Sequence, residues 1–125
     1  MTTTARQKAY RMGHAAEWRA VWRLRLGGYT ILMRRYKTRL GEIDIVARRG
    51  NVLAFVEVKA RAAAGAAEPE CFVGAGQRRR VRRAALAWLA AHPQPDVPDL
   101  RFDVVAVTHH GDEGGVDVRH LPAAF

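Results

Sequence analysis

The sequence predicts an α/β fold: one domain with a mixed β-sheet flanked by helices, in the order α-β-β-β-α-β. Three observations predict it. A long helical pattern opens the chain, extended segments follow, and a second helical pattern leads into another extended segment. One of the extended segments, from Val52 to Lys59, is mostly apolar on both alternating faces. Such a strand belongs in the middle of a sheet covered on both sides. At 125 residues the chain has the length of one domain, taken as 1–125 with a core of about 4–109 and a tail over 110–125.

The first element is a helix over about Ala5–Leu26. Thr4 with Gln7 three residues later is a capping-box pattern, and Gly27-Gly28 ends the helix. Gly13, Ala16, Ala20, Val21 and Leu24 form the stripe expected to meet the sheet. Glu17 sits in the middle of that stripe, so its carboxylate needs an arginine, a lysine or a bound cation. Trp18 and Trp22, four residues apart, are read as packing residues rather than base-stacking ones. Tyr29–Tyr36 reads as the first strand, and Lys37-Thr38-Arg39 is a basic link into the next.

The stretch Leu40–Arg61 reads as a hairpin turning at Gly50-Asn51. Alternation puts Ile43, Ile45 and Ala47 on one face of its first strand, with Glu42, Asp44 and Val46 on the other. In its second strand Leu53, Phe55, Glu57 and Lys59 share a face, opposite Val52, Ala54, Val56 and Val58. If Arg49 pairs with Val52, Asp44 lies directly opposite Glu57 and Glu42 opposite Lys59. Opposed side chains in antiparallel strands have Cβ atoms about 4.5–5.5 Å apart, and like charges there repel. Two buried carboxylates then call for a proton or a cation between them. Mg²⁺, which takes one or two carboxylates with phosphate and water, is one resolution, and Lys59 could then hold a water or a phosphate oxygen. The other is a buried Glu–Lys pair with Asp44 at a solvated strand end.

From Ala60 to Gly76 the chain is small and irregular, either a substrate-contacting flap or plain disorder. A second helix runs from about Gln77 to Ala91 and stops at His92-Pro93. Val81, Ala84, Ala85, Trp88 and Leu89 form its apolar face. Arg78, Arg79, Arg80, Arg82 and Arg83 crowd its start, where cations oppose the helix dipole. An anionic ligand at that end explains them, and a solvated charged face is the alternative. Arg101–Thr108 makes a last strand, with an edge strand possible at Val116–Arg119.

A net charge of +9 points to a polyanionic partner, nucleic acid before an anionic membrane, unless it reflects a biased composition alone. Cys71 is the only cysteine, which excludes an intramolecular disulfide and argues against a cysteine-built zinc site. No signal-type apolar segment opens the chain, and the longest apolar run, Ala84–Ala91, falls short of the ~20 residues that span a bilayer. A cytoplasmic location with no membrane partner is therefore expected. His109-His110 neighbours Asp112, but adjacent strand residues face opposite ways, against a shared metal.

Glu17 on a helix, then a meander with Asp44 and Glu57-Val58-Lys59, then a basic helix and a strand, resembles the PD-(D/E)XK nuclease superfamily. The segments Gly13-His14-Ala15-Ala16-Glu17, Gly41–Ala47 and Phe55–Lys59 look more closely like the YraN-like (UPF0102) family, related in fold to archaeal Holliday junction resolvases. So do Gly28–Leu32, Arg79–Ala85 and Arg101–Val105. Ala60, Gln77 and Arg35 depart from the family's usual residues, and Ile43 stands where the superfamily has proline before the aspartate. The resemblance implies a restriction-endonuclease-like core and a Mg²⁺- or Mn²⁺-dependent endonuclease acting on branched or structured DNA. Asp44, Glu57 and the Val58 carbonyl would bind the metal, joined by Glu17, and Lys59 would position or activate the attacking water. Arg61, Gln77, Arg78, Arg79, Arg82 and Arg83 would contact DNA, and a homodimer is allowed. The alternative is a non-catalytic nucleic-acid-binding module that retains the fold.

Overall fold

The computed structural model describes residues 5–65, 68–111 and 113–125. Thr4, whose capping partner was to be Gln7, and Asp112 lie outside the described residues. The elements are α1 Ala5–Leu26, β1 Thr30–Lys37, β2 Glu42–Arg49, β3 Val52–Ala62, α2 Ala75–Ala91, β4 Asp99–His109 and β5 Val116–Leu121. The strands form one sheet in the order β1-β2-β3-β4-β5. All neighbours are antiparallel except β3 and β4, which run parallel across the α2 crossover. The α/β architecture is thus the expected one, and the tail adds a genuine fifth strand.

Helix α1 stops where the two glycines predict. Gly28 takes φ +90°, Tyr29 N–H donates to the Leu24 carbonyl and Gly28 N–H to that of Arg25, which is a Schellman closure. The residue that follows, Tyr29, is buried next to Leu24 in the same cluster. Helix α2 starts two residues earlier than its periodicity suggests, after an extended Gly74 that offers no side-chain cap.

Each helix covers one face of the sheet. Ala16, Ala20, Val21 and Leu24 of α1 pack on Ile45, Ala47, Ala54, Val56, Val105 and Val107. On the other side Val81, Ala84, Ala85 and Trp88 of α2 pack on Ile43, Val46, Leu53 and Phe55. Leu53 to Val56 are therefore buried without exception, as a central strand requires.

Three local expectations need correction. Gly13 is exposed, so the buried stripe of α1 begins at Ala16. Trp18 and Trp22 are 47% and 57% exposed, not core residues. They sit one position past the buried Glu17 and Val21, on the shoulder of α1 beside Val118 of β5. Finally, Ile43 packs under α2 while Ile45 and Ala47 pack under α1, so alternation breaks at Asp44. The change of face coincides with Arg35 on the neighbouring strand, whose φ of +52° departs from strand geometry between the pairs Arg34–Ile45 and Tyr36–Ile43.

Candidate functional site

The break at Asp44 opens the sheet. β2 and β3 pair in the expected register from Arg49–Val52 as far as Ile45–Val56, and there the ladder ends. The next positions that register implies, Asp44 against Glu57 and Glu42 against Lys59, do not form a ladder. β1 still holds β2 out to Glu42, and β4 still holds β3 out to Ala62, so the two strands part without fraying. Into the gap Asp44 turns its carboxylate, whose Oδ2 accepts the Val58 N–H at 2.8 Å. A strand residue points its N–H and C=O to the same edge, so the Val58 carbonyl faces this opening too.

Glu57 lies on the α2 side, where Gln77 Nε2 donates to its Oε1 at 2.8 Å. Burial, then the Asp44 charge and the hydrogen bond between the two carboxyls, push Glu57 up to about 9, against the pull of Lys59. Asp44 is raised as well, by burial first, with the Val58 N–H and Glu57 opposing and Glu42 and Glu17 adding to it. The two carboxyls thus hold each other toward the neutral form.

Does this donor set suit a divalent cation? Two carboxyls forced together and a main-chain carbonyl on the same edge make an oxygen set of the kind Mg²⁺ accepts, and the raised Glu57 is where added positive charge would be favourable. The set is small. Among the described residues no group of three or more His, Cys, Asp or Glu converges on one point.

Glu17 is near but engaged. It is buried and ion-paired to Arg34 Nη2 at 2.9 Å and Arg35 Nε at 2.5 Å, and Arg35 also meets His14. It lines a cavity of about 150 Å³ with Asp44 and Val58, so it reaches Asp44 through charge. Of the partners the sequence left open for Glu17, an arginine, a lysine or a cation, the structure supplies two arginines.

Lys59 shares the Glu57 face, as alternation requires, with its ammonium 5.6 Å from the centre of the Phe72 ring. Glu57 and Gln77 stand between two cavities. One, about 550 Å³, is lined by Lys59, Arg61, Glu68 and Glu70. The other, about 310 Å³, is lined by Lys37, Arg39, Glu42 and Arg80. Arg61 donates to the Glu68 carbonyl at 2.6 Å, and its Nε is buried without a partner among the described residues. The remaining arginines of α2 diverge. Arg78 bonds the Val73 carbonyl, Arg82 lies 5.8 Å from the Phe102 ring, and Arg79 and Arg83 are exposed on the helix.

Lys37, Arg39 and Arg80 are basic residues that sequence reasoning leaves outside the DNA-contacting set, and the structure brings them together beside Glu57. One sign was available. Gly41 presses on α2 so closely that a Cβ there would fall 2.0 Å from the Arg80 carbonyl oxygen, and only a glycine brings the basic link to that helix. His110 bonds Asp117 rather than sharing a ligand with His109.

The fold and this site define a class: a small α/β protein whose parted strands present two half-buried carboxyls beside a lysine and an arginine-bearing helix. The sequence model described as "Uncharacterised protein family UPF0102" matches residues 16–107. A UPF0102 protein of Chelativorans sp. (strain BNC1) is 51% identical over 104 residues, 82% of each chain. Another, from Mesorhizobium japonicum, is 48% identical over 105 residues, covering 84% of this chain and 82% of its own. A third, from Rhodopseudomonas palustris (strain BisB18), is 48% identical over 124 residues, covering 96% and 84% respectively. The chain belongs to the UPF0102 family. Neither helix is long and apolar enough to cross a membrane, among the described residues.

Proposed function

We propose that this protein is a divalent-metal-dependent endonuclease that hydrolyses phosphodiester bonds in branched or otherwise structured DNA. The observation that carries the reading is the Asp44–Glu57 carboxyl pair, half-buried in a gap between strands that are otherwise well paired. Burying two acids side by side costs stability, and a fold gains nothing from it unless a ligand is to be held there. The resemblance to PD-(D/E)XK nucleases supports the same conclusion.

Asp44, Glu57 and the Val58 carbonyl would hold Mg²⁺ or Mn²⁺. When bound, the cation supplies charge compensation to the phosphoryl oxygens. The chain's own groups do the rest. Lys59 positions the attacking water or takes its proton, and Gln77 fixes the orientation of Glu57. Lys37, Arg39 and Arg80 on one side, and Arg61 on the other, hold the phosphate backbone through charge. Glu17 acts through its charge on Asp44 and keeps Arg34 and Arg35 against α1.

A second reading is a DNA-binding module that keeps this fold without turnover. It is favoured by Glu17, whose two arginines take it out of a third ligand position. The deciding assay incubates linear, flapped and four-way DNA with the protein in Mg²⁺, Mn²⁺ or EDTA, beside Asp44→Asn. Metal-dependent nicking that Asp44→Asn abolishes is expected. Absence of nicking above the EDTA control on every substrate decides for the module.

A further inference from the structure

Helix α1 carries an aromatic and basic surface that the reaction above leaves unused. Trp18 and Trp22 stand about half exposed and one helical turn apart, about 6 Å along the axis. With Arg19, Arg23, Leu26 and Val118 they line a groove of about 350 Å³. Guanidinium groups attend both rings: Arg34 lies 4.1 Å from the Trp18 ring centre and Arg25 5.3 Å from that of Trp22. The one acidic residue of α1, Glu17, is buried and turned toward Arg34 and Arg35, so no carboxylate lines the groove.

Exposed indoles interleaved with arginines suit a ligand that alternates flat apolar rings with anions. We infer that this face of α1 binds single-stranded DNA, with unpaired bases stacking on Trp18 and Trp22 and backbone phosphates held by Arg19, Arg23 and Arg25. The inference rests on the reading of this protein as one that acts on DNA, and narrows its substrate to DNA with an unpaired segment. A duplex keeps its bases stacked on each other and out of reach of the indoles. A second copy of the chain docking here about a two-fold axis would set this arginine cluster against itself. The surface also leads to the carboxyl pair. Arg34 touches Trp18 and pairs with Glu17, which shares a cavity with Asp44 and Val58.

The chain's own fluorescence supplies the test. Trp88, the third tryptophan, is 2% exposed, so a change in emission reports the exposed pair. The full chain is titrated in EDTA with oligothymidylate, with duplex of equal length, and with phosphatidylglycerol–phosphatidylcholine vesicles. Oligothymidylate should quench emission. Trp18→Ala and Trp22→Ala should each weaken its binding by about ten-fold, with duplex affinity changed less than two-fold. Trp22→Phe, which keeps a stacking ring, should retain most of the affinity. Equal losses on single strand and duplex, no loss on either, or quenching by vesicles and not by oligothymidylate would overturn the inference. Because binding is read in EDTA, a chain that binds single strands through these residues and never cuts refutes the nuclease alone. One that cuts while the tryptophan variants bind normally refutes this inference alone.

Discussion

Asp103 is wholly buried and accepts hydrogen bonds from Arg101, His120 and the Ala123 N–H, whereas Asp44 accepts only the Val58 N–H from the main chain. The two aspartates consequently titrate in opposite senses. Burial would raise Asp103, but its three donors outweigh it and hold the carboxyl at about 2. Its stabilising contribution is full above its unfolded value of 3.8 and is lost as pH falls toward 2. Asp103→Asn leaves Arg101 and His120 with a poorer acceptor, and a loss of about 3 kcal/mol in urea denaturation at pH 7 is expected. Glu57 behaves the other way. Its neutral form is favoured on folding, so that contribution is full below 4.5 and is lost as pH rises toward 9. In EDTA, Asp44→Asn should therefore raise the melting temperature at pH 8, by about 4 °C for each kcal/mol relieved, while removing the further rise that Mg²⁺ gives the wild type. A wild-type protein that melts identically in Mg²⁺ and EDTA would leave the carboxyl pair without a ligand.

At the scale of elements, what was legible followed from local rules. Gly27-Gly28 closes α1 because a Schellman motif needs a residue at positive φ. The apolar run from Leu53 to Val56 announces a strand covered twice, and the hairpin register follows from a turn at Gly50. What was not legible depended on neighbours. Ile43 changes face opposite the left-handed Arg35 of another strand, and no alternation pattern within β2 contains that information. Trp18 and Trp22 look like packing residues by spacing, yet whether α1 overhangs the sheet there depends on where β5 ends it. Of the site, the carboxyls and lysine were readable from one hairpin, whereas Arg80 enters through the contact of the 37–42 link with α2. Gly41→Ala tests that contact. With the Cβ 2.0 Å from the Arg80 carbonyl oxygen, backbone must move, and a loss of about 1–3 kcal/mol is expected in thermal or urea unfolding. Because α2 also carries Gln77, the same variant should blunt the Mg²⁺-dependent gain in melting temperature.

Taken as a whole molecule, the chain would bind an anionic partner with many charges and perform chemistry with few. Lys59 is one of 21 lysines and arginines, so Lys59→Ala should leave DNA affinity within a few-fold of wild type. Nicking of a four-way junction should fall by ~10²-fold or more, the order contributed by a positioned proton-transfer or charge-stabilising group. Paired gel-shift and nicking measurements check it, and a variant that cuts as fast as wild type removes Lys59 from the site.

The parallel β3–β4 ladder, which joins residue 52 to residue 99 and residue 62 to residue 109, also has a consequence for the order of assembly expected from loop-closure entropy. The β1–β2–β3 meander closes short loops and can form as soon as it leaves the ribosome, bringing Asp44, Glu57 and Lys59 into one neighbourhood. β4 must wait for α2, since closing that longer loop costs entropy before any contact rewards it. In the interval the most apolar strand of the protein has one bare edge, the kind of template on which nascent chains aggregate. Crossover by α2 covers that edge, and the same step delivers Gln77 to Glu57.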